Sequence, residues 1–587
     1  MTRFWNHRFT LAISVLLILF LSACSPAEST LPSRLVIPTP SGPGTFNYPL
    51  NQSAYSVFGY IYDSLIQENP ITGELEPNLA ESWDVAENKQ KIVIKLREGL
   101  KWSDGEPMTA DDIIFTYNQI YLNDQIPSSF KDILRVGASR QFPTVKKLDD
   151  RQVEFSTPEA FSPFVRYVGG LPILPAHKLK ESIQATDADG NSKFLTTWGT
   201  DTDPQDIVGN GDYKLLSYTP NQRVILERNP YYWRKDEQGE PQPYIQQIVW
   251  QIIDSTDNQL LNFRSGSLDA LDIQPEAYPL LKPEEERGKY TIYSPGPDNG
   301  TVFMSFNLNQ GKNPQGKPFV DPIKSAWFNN KAFRQAVYYG INREVMKNNI
   351  FFGLGALQNS PVPVQSPFYF SPEEGLTTYD YNPEKARKLL TDAGFSYNEA
   401  GLLEDQAGNP VRFTLLVSSG KKVREQMATQ IDQDLGKIGI QVDTLFLSFN
   451  TYVKRLSQTR NWDAYLGGFS GGSGIEPHGA YGIWSVNGRL HTFNQGPQPG
   501  EGKIEGRTVS DWEREIDRIF VEASQEFDQA KRKVLYSQFQ QIVAEEAPFL
   551  YMVNPLSFEA IRDRIEGVQY TPLGGGFWNL YELKIQE

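Results

Sequence analysis

The sequence predicts an α/β protein with more than one domain. Strand-like and helix-like segments alternate through most of its 587 residues, which is the pattern of α/β folds. The chain has a single cysteine, so disulfides cannot stabilise it and it must bury a large hydrophobic core. At this length the core is expected to divide between domains.

The elements can be assigned in chain order from the spacing of apolar residues. Alternating or continuous apolar residues predict strands at 34–37, 91–97, 246–253 and 439–443. Apolar residues at helical spacing predict helices at 54–66, 331–350 and 424–438, and over most of 511–546. Thr109 stands just before two acids and an apolar run, which predicts a helix N-cap.

The first 23 residues resemble a secretory signal peptide. Two arginines and no acid precede an apolar run at 11–21 that is too short to span a membrane. The sequence LSAC at 21–24 resembles the bacterial lipobox, in which the cysteine thiol receives a diacylglycerol and the peptide is cut before it. We therefore expect Cys24 to carry a lipid anchor and residues 24–32 to form a polar tether. The alternative is an ordinary signal peptide that contains a cysteine by chance.

Composition limits the possible functions. The formal net charge of −15 argues against nucleic acid and against an anionic membrane surface as partners. With the thiol used at position 24, the exported chain has no thiol nucleophile and no zinc–thiolate site. The histidines that follow the signal peptide, His177, His478 and His491, are far apart and show no metalloprotease spacing. We expect no enzyme activity, no cofactor and no metal site.

Several long stretches occur in the order known from one protein family. They are KIVIKLREGLKWSDGEPMTADDIIFTY (91–117), GNGDYKLLSYTPNQRVILERNPYYW (209–233), FRQAVYYGINREVM (333–346), YNPEKARKLLTDAGF (381–395) and the pairing of LGKIGIQV with WDAYLGGFS (435–470). With these stretches the chain resembles the ABC-importer solute-binding proteins of extracellular family 5, which include oligopeptide-, dipeptide- and nickel-binding proteins. The second stretch is similar to the family segment GTGPYKL…LERNPDYW.

The resemblance implies a two-lobed periplasmic-binding-protein fold of the class II type, with a ligand cleft between the lobes and an additional third domain. Two strands that cross between the lobes would act as the hinge. The implied division is lobe I at 33–65, 207–305 and 549–587, the extra domain II at 66–206, and lobe III at 306–548.

The resemblance also implies a function. The protein would capture peptides, chiefly oligopeptides, outside the cytoplasm, in the periplasm or at the cell surface, and deliver them as a monomer to a membrane permease and its ATPase. Backbone hydrogen bonds and roomy side-chain pockets would bind such peptides with little sequence preference. The alternatives are an oligosaccharide or a metal chelate as ligand, or a peptide sensor or chaperone without a transport role.

The loop at 467–478 is the strongest candidate for ligand contact. In relatives an aspartate in a GW-x-x-D loop meets the ligand amine, whereas here Phe469 stands in the tryptophan's place and Gly472 in the aspartate's. Either the ligand presents no free amine there, or Glu476 or another acid takes the role, because an unpaired buried ammonium is costly. The following stretch, 478–494, resembles the branch of the family that takes longer peptides.

Other stretches contribute further candidates. Trp484 and Arg489 could supply an aromatic wall and a partner for a carboxylate. Arg424 lies near an arginine that meets the ligand carboxylate in some dipeptide binders, and 45–47 match a loop that gives backbone contacts in relatives. The expected ligand contacts are Thr45, Phe46, Asn47, Arg424, Gly468, Phe469, Ser470, Gly471, Gly472, Glu476, Trp484 and Arg489.

Overall fold

The structure is a computed structural model. It describes residues 32–51, 55–123, 125–128, 133–137, 139–188, 190–470, 475–497 and 501–586. The predicted signal peptide, Cys24, most of the tether, Gly471 and Gly472 lie outside these residues. Within them, no helix is both long enough and apolar enough to cross a membrane.

Strands occur from one end of the described chain to the other. They are β1 (Arg34–Thr39), β2 (Ile66–Glu68), β3 (Leu75–Pro77), β4 (Ala80–Val85), β5 (Lys91–Leu96), β6 (Thr144–Asp149), β7 (Gln152–Ser156), β8 (Tyr213–Thr219), β9 (Arg223–Arg228), β10 (Gln247–Ile252), β11 (Ala270–Asp272), β12 (Tyr290–Pro297), β13 (Thr301–Phe306), β14 (Gly355–Leu357), β15 (Ser396–Tyr397), β16 (Leu403–Glu404), β17 (Arg412–Ser418), β18 (Gln441–Leu447), β19 (Ala464–Phe469), β20 (Phe549–Tyr551), β21 (Val553–Arg562), β22 (Ile565–Glu566) and β23 (Lys584–Ile585).

The α-helices lie between these strands. They are α1 (Tyr55–Phe58), α2 (Ala110–Phe115), α3 (Phe164–Gly169), α4 (Ala176–Gln184), α5 (Thr256–Arg264), α6 (Tyr278–Leu281), α7 (Glu285–Gly288), α8 (Pro322–Asn329), α9 (Lys331–Gly340), α10 (Arg343–Ile350), α11 (Pro383–Asp392), α12 (Lys422–Gly436), α13 (Phe449–Lys454), α14 (Tyr481–Trp484), α15 (Asp511–Gln525) and α16 (Gln529–Glu546).

Four larger sheets organise the described chain. Two of them have the orders β1-β10-β9-β8 and β4-β5-β7-β6, and only the β1–β10 pair in them is parallel. A third sheet has the order β11-β21-β12, with β14 also paired to β21. The fourth, β18-β17-β19-β13-β20, is mixed, with β17 parallel to both of its neighbours. The α/β prediction is confirmed.

Most single elements agree with the sequence prediction, including the helix over most of 511–546, but the helix predicted at 331–350 does not. The predicted strands at 34–37, 91–97 and 246–253 are β1, β5 and β10. The prediction of one helix at 331–350 is wrong, because the side chain of Asn342 accepts a hydrogen bond from the Val345 amide at 3.0 Å and starts a new helix there. In the same way Asp528 caps α16 and separates it from α15.

The N-terminal helix is shorter than predicted, and the strand after α12 is shifted along the chain. Of the described part of the helix predicted at 54–66, only α1 is helical. The strand predicted from residue 439 begins at Gln441, because Gly439 takes a left-handed conformation with φ of 82° and closes the turn after α12.

Two adjacent strand crossings connect the third and fourth sheets. β12 leads into β13, and β20 leads into β21, so the chain passes twice between the same two sheets in opposite directions. Hydrogen bonds hold the crossings together: the Met552 amide donates to the Val302 carbonyl at 2.8 Å, and the Asp298 amide donates to the Pro555 carbonyl at 2.9 Å. This is the arrangement expected of a hinge between two lobes.

The hydrophobic residues form three cores. One lies between residues 303 and 553 and surrounds the fourth sheet. A second contains both Leu35 of β1 and Ile92 of β5, so the first sheet and the antiparallel β4–β7 sheet share one continuous core. A third, smaller core lies between α5 and the β11-β21-β12 sheet. The predicted domain II therefore packs against predicted lobe I without a break, while the residue boundaries of the three parts stay a prediction.

The predicted domain II also contacts predicted lobe III directly, at a place we call the II–III contact, formed by 159–162 and 523–525. The Ser162 amide donates to the Ser524 carbonyl at 2.6 Å. The Gln525 side-chain amide donates to Glu159 at 2.5 Å. These bonds connect the predicted domain II to predicted lobe III at a place separate from the strand crossings.

We predict that Thr109→Ala lowers the free energy of unfolding by about 1 kcal/mol, because it removes a helix cap. The Asp111 amide donates to the Thr109 hydroxyl at 3.3 Å, and the Thr109 amide donates to Asp112 at 2.9 Å, as in a capping box. Urea titration of the two variants Thr109→Ala and Thr109→Ser checks this, since serine keeps the hydroxyl. An equal loss in both variants would contradict the capping role.

Candidate functional site

A mainly apolar cavity of about 310 Å³ lies where the strand crossings meet the end of β19. The segment 299–301 forms one side, and the segment 476–484 with Leu490 forms another. Aromatic rings make up much of the wall: Phe469, Trp484, Phe539, Phe549 and Tyr551. A concave apolar site bordered by a hinge is suited to binding a ligand that the two lobes close upon.

The aromatic wall is fixed by ring packing around Phe549. The ring of Phe549 lies 5.5 Å from Trp484 and 6.0 Å from Phe469, both in edge-on geometry. Trp484 is 2% exposed and also packs edge-on against Phe539 at 4.9 Å. Ring packing therefore fixes the wall, and Trp484 is part of it.

The end of β19 is held close to the crossing strand β13. Thr301 pairs with Phe469, whose amide donates to the Thr301 hydroxyl at 3.2 Å. A Cβ atom at Gly468 would lie 2.1 Å from the Thr301 carbonyl oxygen, which no other residue type could tolerate. Gly468 therefore allows the backbones to approach at the edge of the cavity, and this is the physical reason for a glycine at that place.

Arg424 brings a positive charge to the same edge. Its guanidinium Nη2 lies 3.2 Å from the position that a Cβ of Gly468 would take. Burial lowers the pKa of Arg424, and the neighbouring Tyr452 opposes that shift. Within the described residues no carboxylate pairs with Arg424. An arginine in this setting keeps its proton and can bind an incoming carboxylate.

Glu476 lines the cavity, but its carboxylate already has partners. Its Oε1 lies 2.6 Å from Nη2 of Arg532, and both side chains are largely buried. The Tyr536 hydroxyl and the His478 amide also donate to the same oxygen, at 3.3 and 3.2 Å. The idea that Glu476 replaces the aspartate missing at position 472 therefore loses support, because a ligand ammonium would have to compete with a buried guanidinium.

The loop at 45–47 is anchored away from the cavity. The Thr45 hydroxyl and the Phe46 amide both donate to the Trp198 carbonyl, at 3.0 and 2.8 Å. The Asn47 side chain donates to the Phe194 carbonyl at 2.8 Å, and the Phe46 ring is buried. These bonds hold the loop in place, and none of its three residues lines the cavity.

The remaining predicted contacts divide into two groups. Ser470 lines the cavity, whereas Arg489 is exposed and does not line it. Gly471 and Gly472 lie outside the described residues.

Sequence reasoning missed Thr301 and Phe549, which line the cavity from the strand crossings. The only signal that could have found them was the expectation that a hinge borders the cleft.

The histidines take no part in this cavity. His491 lies 2.9 Å from Glu513, and His177 lies 2.9 Å from Asp104. His478 is 2% exposed, and burial, with help from two nearby arginines, lowers its pKa to about 3. The described residues contain no group of three or more metal-ligating side chains.

The letters at 468–472 also fit the pattern of a catalytic nucleophile turn, G-x-S-x-G. That motif needs a histidine beside the serine. In the described residues, the histidine contacts lead to carboxylates, a backbone carbonyl and aromatic rings, and none leads to Ser470. The pattern therefore marks a strand end and not a catalytic turn.

We predict that Glu476→Gln lowers the free energy of unfolding by about 3 kcal/mol, because it leaves the buried Arg532 without its counter-ion. Thermal and urea unfolding, followed by tryptophan fluorescence, measure the loss. The matched control is Glu374→Gln, which removes the partly exposed pair between Glu374 and Lys533 and should change stability by less than about 1 kcal/mol. A loss in Glu476→Gln no larger than in this control would contradict the role of the buried pair.

Comparison with known proteins agrees with this architecture. The family description "Bacterial extracellular solute-binding proteins, family 5 Middle" matches residues 74–489. A probable ABC transporter-binding protein of Deinococcus radiodurans is 29% identical over 545 residues, covering 90% of this chain and 86% of that protein. The oligopeptide-binding protein AppA of Bacillus subtilis is 24% identical over 586 residues, covering 96% of each.

Solved structures show the same fold. The structure of Bacillus subtilis AppA with a nonapeptide superposes with a TM-score of 0.74 at 21% identity, covering 95% of this chain and all of that one. The structure of MelB from Agrobacterium fabrum with stachyose gives a TM-score of 0.77 at 20% identity, covering 94% of this chain and 85% of that one. Family 5 proteins are non-enzymatic transport components with a two-lobed α/β fold and an additional domain. The chain belongs to the family 5 bacterial extracellular solute-binding proteins.

Proposed function

We propose that the protein is the substrate-binding lipoprotein of an ABC importer and that its ligand is a peptide. The observation that carries the proposal is the combination, at one strand end, of an aromatic cavity and a guanidinium that pairs with no carboxylate among the described residues. The cavity can take an apolar side chain, and Arg424 can take a carboxylate. A peptide presents both groups on a backbone that can lie along the edge of β19.

Longer peptides suit this site better than short ones. A short peptide needs a fixed carboxylate for its amine, because an unpaired buried ammonium is costly. Position 472 is a glycine, and the carboxylate of Glu476 is occupied by Arg532. A longer peptide can carry its N-terminus past this place and still fill the cavity.

The relatives support a peptide without requiring it. Names and titles among them include an oligopeptide, dipeptides and a nonapeptide, but also heme, an α-galactoside, stachyose and Ni(L-His). The cavity itself favours the peptide over a sugar. A sugar needs many polar side chains for its hydroxyls, and few line this wall, chiefly Asn299, Thr301 and Ser470.

The remaining parts of the proposal concern assembly. The strand crossings would act as the hinge between lobe I (33–65, 207–305 and 549–587, with domain II attached) and lobe III (306–548). A monomer closed on its peptide would dock on a permease and ATPase pair. The lipidated Cys24 would keep the protein at the outer side of the membrane, because several acyl chains anchor far better than one.

The test of the ligand is native mass spectrometry of the mature chain without Cys24, purified from cells and then denatured to release what it carries. We expect a ladder of peptide masses. A single mass of a sugar or a metal chelate would overturn the peptide part of the proposal and leave the importer part intact. A protein that releases no ligand and also binds nothing from a peptide mixture would contradict the peptide proposal.

We predict that Arg424→Gln weakens peptide binding about tenfold or more, because a charged hydrogen bond is lost. Calorimetry with a peptide identified by the mass experiment measures the change. The same peptide with an amidated C-terminus is the control, since it has no carboxylate and should bind both proteins alike. An equal loss for both peptides would contradict the role given to Arg424.

We predict that Cys24→Ser moves the protein from the membrane fraction to the soluble fraction, because the acceptor of the lipid is gone. Fractionation and labelling with a radioactive fatty acid check this, with Ser25→Ala as the neighbouring control. Label retained by Cys24→Ser would contradict the lipidation of this residue.

A further inference from the structure

A second cavity, of about 280 Å³, is polar and shares no lining residue with the aromatic cavity. It lies between the start of the predicted domain II, the turn before β8 and the C-terminal segment. Its charged lining residues are Asp63, Asp212 and Arg234. Its rings include those of Tyr48, Tyr60, Tyr232, Trp578 and Tyr581. Nothing in the proposed function uses this cavity.

Asp212 is the central residue of this cavity. It is 7% exposed, lines the cavity, and forms no ion pair with any residue that the structure describes. The backbone around it is fixed, because the Asn229 amide donates to the Asp212 carbonyl at 3.0 Å and Tyr213 is fully buried. Its carboxylate accepts hydrogen bonds from its own amide and from that of Tyr213, and the charge of Arg234 also stabilises it. Backbone amides carry no full charge, so a cation that enters the cavity can still pair with this carboxylate.

Three polar atoms around the cavity are buried without a hydrogen-bond partner among the described residues. They are Oδ2 of Asp63, the hydroxyl of Tyr62 and Nε of Arg234. The guanidinium of Arg234 is held between rings, 4.0 Å from that of Tyr581 and 4.8 Å from that of Trp233. An incoming hydrogen-bond donor can satisfy the first two, which can accept, whereas Nε of Arg234 is itself a donor.

The lining holds more acidic than basic side chains. Two carboxyl groups face one guanidinium, and burial disfavours the charged form of both carboxyl groups. Burial raises the pKa of Asp63 to about 6, although Arg234 acts in the opposite direction. Burial, with the charge of Asp63, raises the pKa of Asp212 well above its ordinary value. A cation that enters the cavity stabilises the charged form of both carboxylates.

We propose that this polar cavity binds a small organic cation with a primary ammonium group, held by Asp63 and Asp212 against the aromatic rings. The ammonium donates three hydrogen bonds and matches the carboxylates in charge. The rings favour an organic ammonium over an alkali ion, because ring faces attract such cations and supply no oxygen ligands. The cavity volume of about 280 Å³ has room for a small organic molecule.

The test is calorimetry with ethylammonium chloride on the mature chain, with sodium chloride at equal ionic strength as the reference. Ethylammonium should bind saturably and sodium should not. Asp212→Asn should weaken ethylammonium binding at least tenfold, while Asp84→Asn, which changes an exposed aspartate on β4, should leave it unchanged. Ethylammonium that behaves like sodium, or unchanged binding in Asp212→Asn, would overturn the proposal.

Two further measurements make the result independent of how well that variant folds. Crystals soaked in 2-bromoethylammonium should show an anomalous bromine peak in the cavity, and its absence at saturating concentration would overturn the proposal. Affinity should fall as the pH drops through about 6, because protonated carboxylates do not attract a cation. The ionisable groups facing Asp212 are Asp63, Arg234, Tyr60, Tyr213, Tyr232 and Tyr581, and among them only Asp63 titrates near pH 6.

Peptide binding distinguishes a failure of the cation site from a failure of the proposed function. Asp212→Asn should bind the cleft peptide as the parent chain does, because the two cavities share no lining residue. Loss of both ligands in this variant would overturn a separate cation site. If the parent chain binds ethylammonium but no peptide, that result contradicts only the proposed function.

Discussion

The paired strand crossings are the constraint on which the rest of the structure depends. The hydrogen bonds from Met552 to Val302 and from Asp298 to Pro555 tie two passing segments into one antiparallel ribbon. Each end of the ribbon is part of a sheet, so the ribbon sets the orientation of one predicted lobe relative to the other. Its residues also form one side of the aromatic cavity, so any change of angle between the lobes changes the shape of the site.

The fold could be predicted from the sequence further than the site could. Strand and helix patterns are local, so β1, β5 and β10 were assigned from a few residues each. The break at Asn342 was missed because an apolar stripe continues across it, and the capping hydrogen bond that starts α10 is invisible in that stripe. The division into lobes was predicted from the family stretches, because no local pattern indicates it.

The site depends on long-range packing, and there the sequence was a weaker guide. Trp484 was expected as an aromatic wall and lies in one, but its packing partner Phe549 comes from a segment 65 positions further along the chain. Glu476 was a reasonable candidate for an ammonium ligand until its pairing with Arg532 was known. A linear sequence shows which charges exist and not which of them are already neutralised.

The II–III contact has a consequence for the rate at which ligand leaves. The predicted domain II and predicted lobe I share one core. If the lobes move about the proposed hinge, that motion would break the bonds from Ser162 to Ser524 and from Gln525 to Glu159, whatever ligand is bound. Part of the barrier to release would then be built into the protein. Ligands of quite different affinity would then share a common lower limit on their residence time, and a membrane partner could speed release by separating this contact.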